Sequence, residues 1–386
     1  MSKIIVAGHI CLDITPKYLG KKIDKIEDIL RPGKLIGMKG VDIHTGGVVA
    51  NTGLALEILG IKTTLVGKIG DDGFGKLITD GLNEYGVDHR LIVSKDETTS
   101  YSAVLAFPGV DRIFLHDPGA NNTFCSNDLS DDLLEKGNHF HFGYPPLMKR
   151  MYKGSGAHLA VLLKRVKKMG LTTSLDMAAV DPESEAGQVN WRRILSNALP
   201  FVDFFVPSFE ELCFMLDPRK LELRDIQANK DNVDLTRIIS IEDDVIPLAD
   251  ECLEMGAKVV IIKCGVQGIY YACAGRNSLR PICESRGLNI DEWGKKRGFI
   301  KSFEPDVVIS GTGAGDAAIA AFLAAMMKGK SVKTCVTLAA AEGAMCVTGI
   351  DALSGLLPLD DLQNKIDSGW KKSKVDTEIA EEEVRD

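Results

Sequence analysis

Short apolar segments alternate with helical segments along most of this chain, and this alternation restricts the possible folds more than any other feature. Near the N-terminus, KIIVAG precedes NTGLALEILG, which has the spacing of an amphipathic helix, and TTLVGKIG follows. The same order recurs in HFHFG, LAVLLKRVKKMG and TTSLDM, and again in ADECLEMG and KVVIIKCG. Such alternation predicts βαβ units and an α/β fold: a doubly wound, mainly parallel sheet with helices on both faces. Ligands of such a sheet bind at the carboxyl ends of its strands.

One segment departs from this alternation. In TTSYSAVLAFPGVDRIFLHDPGANN, two runs rich in β-branched and aromatic residues are joined through PGVD, which is typical of a hairpin. We therefore predict a small antiparallel β lid that covers a site at the strand ends.

Composition narrows the function to small-molecule chemistry. The net charge of −8 and the pI near 5.5 disfavour nucleic acid as a partner, because phosphates need a basic surface. Nine cysteines are scattered without C-x-x-C pairs, which is typical of a reducing compartment. The sequence has no uninterrupted run of eighteen apolar residues, so it predicts no membrane-spanning helix. We expect a cytoplasmic protein.

A run of small residues interrupts the stretch VVISGTGAGDAAIAAFLAAM and contains a single acid, Asp316. We expect Val307–Ile309 to form a strand and the Ala-rich segment a helix, whose free N-terminal N–H groups would bind an anion. Two interpretations of Asp316 remain open. It stabilises the helix N-terminus, or it acts as a general base while the amides stabilise a transferring phosphoryl group.

The motif GTGAGD with its Ala-rich helix resembles the second signature of the ribokinase-like (PfkB) carbohydrate kinases, D-T-x-G-A-G-D. TGGVVANTGLALEILG matches the first signature. Between and around them, GKIGDDGFGKLITDGLNEYGVD, GAN and VVIIKCGVQGIYY resemble further family segments. The resemblance implies a kinase domain over residues 1–370, with the lid formed from segments near 10–20 and 98–117. A charged tail, 371–386, follows.

The resemblance also implies roles for individual residues. Asp316 is the implied catalytic base, with an anion hole made by Gly313, Ala314 and Gly315. Glu211 is the implied Mg²⁺ residue. The implied ATP-binding positions are Lys263, Gly265, Gly268, Gly311, Thr312 and Gly313.

The implied substrate is a small sugar or polyol held by Asp13, Gly46, Gly47 and Asn51. Carboxylate and amide groups suit vicinal hydroxyls, and glycine lets a sugar ring approach the main chain. Structural alternatives remain open for each residue: Asp13 ends a strand in a turn, Asn51 caps a helix, and the two glycines form a tight turn.

The chain departs from the family pattern at several positions, among them Ala317 and Ala318, which replace the usual aromatic after Asp316. Ser208 stands where the N-x-x-E segment has Asn, although Glu211 is retained and could alternatively be a first-turn helix acid. Ser310 and Gly311 replace the leading Asp-Thr of the second signature. That Asp is associated with a monovalent-cation site in potassium-activated relatives, so dependence on such a cation is left open.

These features predict an ATP- and Mg²⁺-dependent kinase that phosphorylates a hydroxyl of a small sugar or polyol by in-line transfer, with Asp316 as base. Two alternatives remain: a nucleoside kinase of the same superfamily, and a non-catalytic sugar-binding regulatory homologue. Some relatives pair through the lid, which makes a homodimer through the β lid an expectation here.

Overall fold

The computed structural model describes residues 3–110 and 112–374; the part of the predicted tail from residue 375 onward lies outside the described residues. The strands are β1 (Lys3–Gly8), β2 (Cys11–Tyr18), β3 (Met38–Gly46), β4 (Lys62–Val66), β5 (Lys68–Gly70), β6 (Asp88–His89), β7 (Ile92–Ser94), β8 (Tyr101–Leu105), β9 (Ile113–Asp117), β10 (His139–Gly143), β11 (Thr172–Leu175), β12 (Phe204–Phe205), β13 (Val259–Lys263), β14 (Gly268–Cys273) and β15 (Arg297–Lys301).

The α-helices are interspersed among these strands. They are α1 (Gly47–Ile58), α2 (Gly73–Glu84), α3 (Asp131–Leu134), α4 (Lys149–Lys168), α5 (Trp191–Ala198), α6 (Phe209–Leu216), α7 (Pro218–Asp231), α8 (Ile246–Glu254), α9 (Arg276–Arg286), α10 (Ile290–Trp293), α11 (Ala314–Met327), α12 (Val332–Cys346) and α13 (Leu359–Asp367). In the part of the chain that is described, none of them combines the length and apolar character needed to cross a bilayer.

The main sheet has nine strands in the order β15-β14-β13-β12-β11-β10-β1-β4-β6. Pairing is parallel from β13 to β6, and only β14 and β15 are antiparallel. The predicted doubly wound, mainly parallel sheet is confirmed. The interior strand β1 is an uninterrupted apolar run after Lys3 because both of its faces are covered.

Alternate residues of β1 enter the two halves of the core. Ile4 and Val6 belong to the cluster under α1, α11 and α12, while Ile5 and Ala7 belong to the cluster under α4, α5 and α8. All four are fully buried. The helices thus cover both faces of the sheet, and its strand ends are left for a site.

A smaller four-stranded sheet has the order β3-β2-β8-β9. The predicted hairpin forms β8 and β9, which pair antiparallel, as do β2 and β3. The inner pair, β2 with β8, is parallel, and no hairpin turn joins these two strands, which come from distant parts of the chain. The sequence interpretation missed β3, which supplies an edge of this sheet.

The strand predicted at Val307–Ile309 is wrong. This segment is a loop whose three side chains are 51%, 69% and 53% exposed. The amides of Ile309 and Ser310 both donate hydrogen bonds to one acceptor, Val347 O, at 2.8 and 3.2 Å, and this is not the ladder of a β-strand. A β-branched run forms a strand only beside a partner strand, and the residues following β15 pair instead with the C-terminal segment at Phe303 and Lys372.

A matched pair of truncations tests this assignment. Val308→Ala should change the free energy of unfolding by less than about 0.5 kcal/mol, because the side chain is 69% exposed. Val260→Ala in β13 should cost about 2 kcal/mol, because that side chain is fully buried. Urea titration measures the free energy of unfolding of each variant. Equal losses of stability in the two variants would contradict the exposed loop and indicate that Val308 lies in a buried strand.

Glu342 is a fully buried acid on α12. Its Oε1 accepts a hydrogen bond from Leu357 N at 3.0 Å, and its Oε2 is buried without a partner among the described residues. Burial raises the pKa of Glu342 to about 8, against the opposing effect of the Leu357 amide. The carboxyl group is therefore protonated at neutral pH.

This acid should make the protein less stable as the pH rises. The folded pKa of Glu342 lies above that of the unfolded chain, so its contribution is complete in acid and is lost as the pH approaches about 8. Within that window the loss is about 1.4 kcal/mol per pH unit. Urea titrations at pH 6, 7 and 8 should show a smaller dependence in Glu342→Gln than in wild type. The exposed-site control, Glu183→Gln, should follow the wild type.

Candidate active site

A cavity of about 480 Å³ lies where strands β10 to β13 end. Three of its polar residues are placed there directly by the sheet: Tyr144 follows β10, Asp176 follows β11, and Lys263 is the last residue of β13. Parallel strands bring their carboxyl ends to one edge, so these residues converge. The lining residues are Tyr144, Asp176, Ala179, Ser208, Glu210, Glu211, Lys263, Gly265, Gly313, Gly315 and Asp316.

Two independent features of the turn before α11 require glycine at position 313. Its φ is +80°, and a Cβ there would lie 2.3 Å from the Cβ of Ala352. Helix α11 starts immediately after it. The amide of Ala314 makes a long 3.4 Å bond to Gly311 O, whereas those of Gly315 and Asp316 find no acceptor among the described residues. Amides of this kind can bind an anion.

Asp316 accepts hydrogen bonds from side chains of other elements and is only 5% exposed. Its Oδ1 accepts from Thr52 Oγ1 at 2.8 Å, and its Oδ2 accepts from Asn51 Nδ2 at 3.0 Å and from Tyr144 OH at 2.8 Å. The donors come from α1 and from the end of β10. The structure thus brings Asp316 and Asn51, two residues singled out in the sequence, into direct contact.

Lys263 is a buried cation beside this carboxylate. Its Nζ lies 2.9 Å from Asp176 Oδ1, with the two side chains 13% and 2% exposed. Burial acts to lower the pKa of Lys263, but the carboxylates of Asp176 and Glu211 outweigh burial and raise it. A Cβ on Gly315 would lie 3.4 Å from the same Nζ, so the ammonium adjoins the glycine turn.

Glu211 is both a helix acid and a residue of the cavity wall. Its Oε2 accepts from Ser208 N at 2.7 Å while its own amide donates to Ser208 Oγ at 3.2 Å, which forms a capping box at the start of α6. Ser208 therefore serves the cap in place of the Asn expected there. The Oε1 atom of Glu211 is outside this exchange, which leaves one carboxylate oxygen for a ligand.

The predicted sugar-binding residues meet at the junction of the two sheets. A Cβ on Gly46 would lie 2.3 Å from Asp13 Oδ2, and one on Gly47, whose φ is +81°, would lie 2.6 Å from His9 O. Burial raises the pKa of Asp13, and the charge of Asp316 raises it further, against hydrogen bonds that lower it. Both glycines are thus required by close approach, and Asp13 lies within electrostatic range of Asp316.

The predicted nucleotide residues divide into two groups. Lys263, Gly265 and Gly313 line the cavity; Gly268, Gly311 and Thr312 do not. Gly268 begins β14, where a Cβ would lie 2.0 Å from Ile300 O, so close packing alone requires a glycine there.

Several residues of the site were missed in the sequence. Tyr144 and Asp176 could have been found, since each is a polar residue directly after an apolar strand. Thr52 follows Asn51 and carries no signal of its own. Arg112 could not be found: its Nη2 donates to Ser310 Oγ at 2.8 Å, which joins the small sheet to the glycine turn across 198 residues.

Comparison with known families and sequences adds an independent line of evidence. The family described as pfkB family carbohydrate kinase matches residues 1–359. An uncharacterized sugar kinase of Archaeoglobus fulgidus is 22% identical, over 78% of this chain and 98% of its own. A ribokinase of Arabidopsis thaliana is 26% identical, over 84% of this chain and 72% of its own.

Solved structures share the fold. Arabidopsis thaliana ribokinase, complexed with ribose and ATP, superposes with a TM-score of 0.68 at 22% identity, covering 94% of this chain and 98% of that one. A putative ribokinase II from E. coli, in complex with ATP and Mg²⁺, gives 0.65 at 21% identity, covering 95% and 100%.

Proposed function

The chain belongs to the pfkB family of carbohydrate kinases, and on that premise we propose that it transfers the γ-phosphoryl group of ATP to a hydroxyl of a small sugar or polyol. Sugar kinases are phosphotransferases whose acceptor is a sugar hydroxyl, and this chain is one of them. The observation that carries the finer proposal is the buried carboxylate of Asp316 beside unpaired amides and the Lys263 ammonium.

Asp316 acts as the general base in this proposal. The acceptor hydroxyl gives its proton to the carboxylate as its oxygen bonds to the γ-phosphorus, and the bond from that phosphorus to the bridging oxygen of ADP breaks. The anion hole of Gly313, Ala314 and Gly315 stabilises the charge on the transferring group through main-chain N–H donors. The amide of Asp316 itself adds a donor, since it too is unpaired among the described residues.

Lys263 supplies fixed positive charge at the glycine turn. Its ion pair with Asp176 holds the ammonium in place, 13% exposed, so a phosphate oxygen would meet it largely shielded from water. Glu211 fits a magnesium ion, which needs few protein carboxylates because it keeps several waters and binds phosphates. When bound, Mg²⁺ would offset phosphate charge there. Gly265, Gly268, Gly311 and Thr312 remain the predicted nucleotide contacts.

The sugar would lie between Asp316 and the junction of the two sheets. Asp13 offers carboxylate oxygens to hydroxyls, and Asn51 bonds both the sugar and the base. Gly46 and Gly47 would let the ring approach the main chain. The small sheet lies over this side, where its contact from Arg112 to Ser310 links a closed lid to the phosphate turn.

Removal of the base gives the direct test. Asp316→Asn should keep the fold and ATP binding, because amide and carboxylate have the same shape, but should lower kcat by about 10²-fold or more. ADP release would be measured against a panel of sugars, polyols and nucleosides. A matched control is Asp306→Asn, since that carboxylate is 81% exposed and pairs with Lys365 on the surface.

The panel also decides between the alternatives. Turnover with nucleosides alone would show that the acceptor substrate is a nucleoside and not a simple sugar. Stoichiometric binding of a sugar without ADP release in wild type would contradict catalysis and favour a regulatory homologue. Normal kcat in Asp316→Asn would remove the carboxylate from the proposed mechanism.

Pairing of two copies through the small sheet remains a prediction. The sheet exposes the apolar side chains of Val41, Ile43, Phe114 and Leu115, which a second copy could cover. Sedimentation equilibrium should then find a dimer for wild type and a monomer for Phe114→Asp. A monomeric wild type at micromolar concentration would contradict the pairing.

A further inference from the structure

The carboxylate of Asp316 is already occupied by hydrogen bonds. Three donors reach it, from Thr52, Asn51 and Tyr144, at 2.8 to 3.0 Å. An acceptor hydroxyl must donate to one of the same two oxygens when it is deprotonated. A carboxylate oxygen has about two acceptor sites, and Oδ2 already has two donors, so a hydroxyl that reaches Oδ2 takes the place of one of them.

Tyr144 is the donor best placed to yield. Thr52 and Asn51 are adjacent residues of α1, and Thr52 is fully buried in the helix packing. Tyr144 instead lines the cavity and reaches Asp316 Oδ2 from the cavity side. Its phenol therefore lies on the route by which any hydroxyl of a ligand reaches this oxygen.

The chain holds this phenol in place with an unusual backbone. Tyr144 has φ +64° and ψ +41°, a left-handed conformation that is uncommon for a bulky residue and costs free energy. Its amide donates to Asp176 O at 3.3 Å, and its ring stacks on that of His9 with centroids 6.0 Å apart. His9 in turn contacts His116 of β9, Nε2 to Nε2, at 3.3 Å. Contacts with both the main sheet and the small sheet thus support the ring while its hydroxyl lies against Asp316.

The phenol remains a donor at any working pH. Burial, together with the neighbouring charges of Asp316 and Asp176, raises the pKa of Tyr144 well above its ordinary value. The proton therefore stays on the phenol rather than passing to the carboxylate.

We propose that the hydroxyl of Tyr144 occupies the acceptor-hydroxyl position in the absence of sugar, and so keeps water from Asp316. This inference rests on the proposed kinase function. Without the phenol, a water molecule would donate to Oδ2, lose its proton to Asp316 and bond to the γ-phosphorus of ATP, while the bond to ADP breaks and phosphate is released. A sugar displaces the phenol because its other hydroxyls bind elsewhere, whereas a single water has no such compensation.

The test compares two activities in one variant. Tyr144→Phe keeps the ring on His9 and removes only the hydroxyl. We expect sugar-independent ATP hydrolysis to rise at least about tenfold, because water then reaches an active base. With the sugar identified by the panel, KM should fall, since no phenol competes. The double variant Tyr144→Phe/Asp316→Asn should lose the added hydrolysis.

Two controls guard this result. Tyr152→Phe removes a hydroxyl from a ring packed on Trp191 and should leave both activities unchanged. Tyr144→Ala opens the same position, and added phenol should suppress its hydrolysis by refilling the space. This second variant keeps the test available if the first does not fold.

The outcomes separate this inference from the kinase proposal. A lower kcat without any gain in hydrolysis would mean that Tyr144 only positions Asp316, and would overturn the inference. Hydrolysis that persists in the double variant would overturn it as well. A wild type that phosphorylates no member of the panel would instead contradict the proposed function.

Discussion

The hydrogen bonds between helices α1 and α11 are the constraint on which the site depends. Asn51 and Thr52 reach Asp316 across 265 and 264 residues of sequence, so the two helices must pack closely enough for short side chains to meet. Helix α11 permits this because it is largely Ala, and every residue from Asp316 to Met326 is buried. Larger side chains would separate the helices and break the contact. The small residues that form the core thus also position the carboxylate.

Charge in the cavity follows from the same convergence. Asp176, Glu211 and Asp316 stand around Lys263, and the ammonium is the cation that pairs directly with one of them. Such a cavity would repel a bare polyphosphate, which is consistent with a divalent cation entering with it. Lys263 is held at the end of β13 by its bond to the end of β11. The ends of two parallel strands, β11 and β13, which flank β12, therefore set the position of the charge that faces the glycine turn.

The turn that carries the amides is held by side-chain packing and by a loop rather than by a strand. Val347 O accepts hydrogen bonds from the amides of Ile309 and Ser310, which precede the turn. Ala352 occupies the space that a side chain on Gly313 would need. The buried acid Glu342 fixes the far end of that loop at Leu357. Arg112, which directly precedes β9 of the small sheet, also reaches the turn at Ser310. The position of the lid and the geometry of the anion site are thus connected through direct contacts.

The sequence by itself determined the parallel sheet, the hairpin of the small sheet, and the family, because apolar periodicity and paired signatures are local and leave clear patterns. It also singled out Asp316, Asn51, Lys263 and Glu211, which meet in or beside the cavity. Only the tertiary structure decided that Val307–Ile309 is an exposed loop, since a strand requires a free neighbouring edge that no local pattern reveals. Only it brought Arg112 to the site. A hydrogen bond forms between groups adjacent in space, and single polar residues separated by more than a hundred positions carry no local sign of their partner.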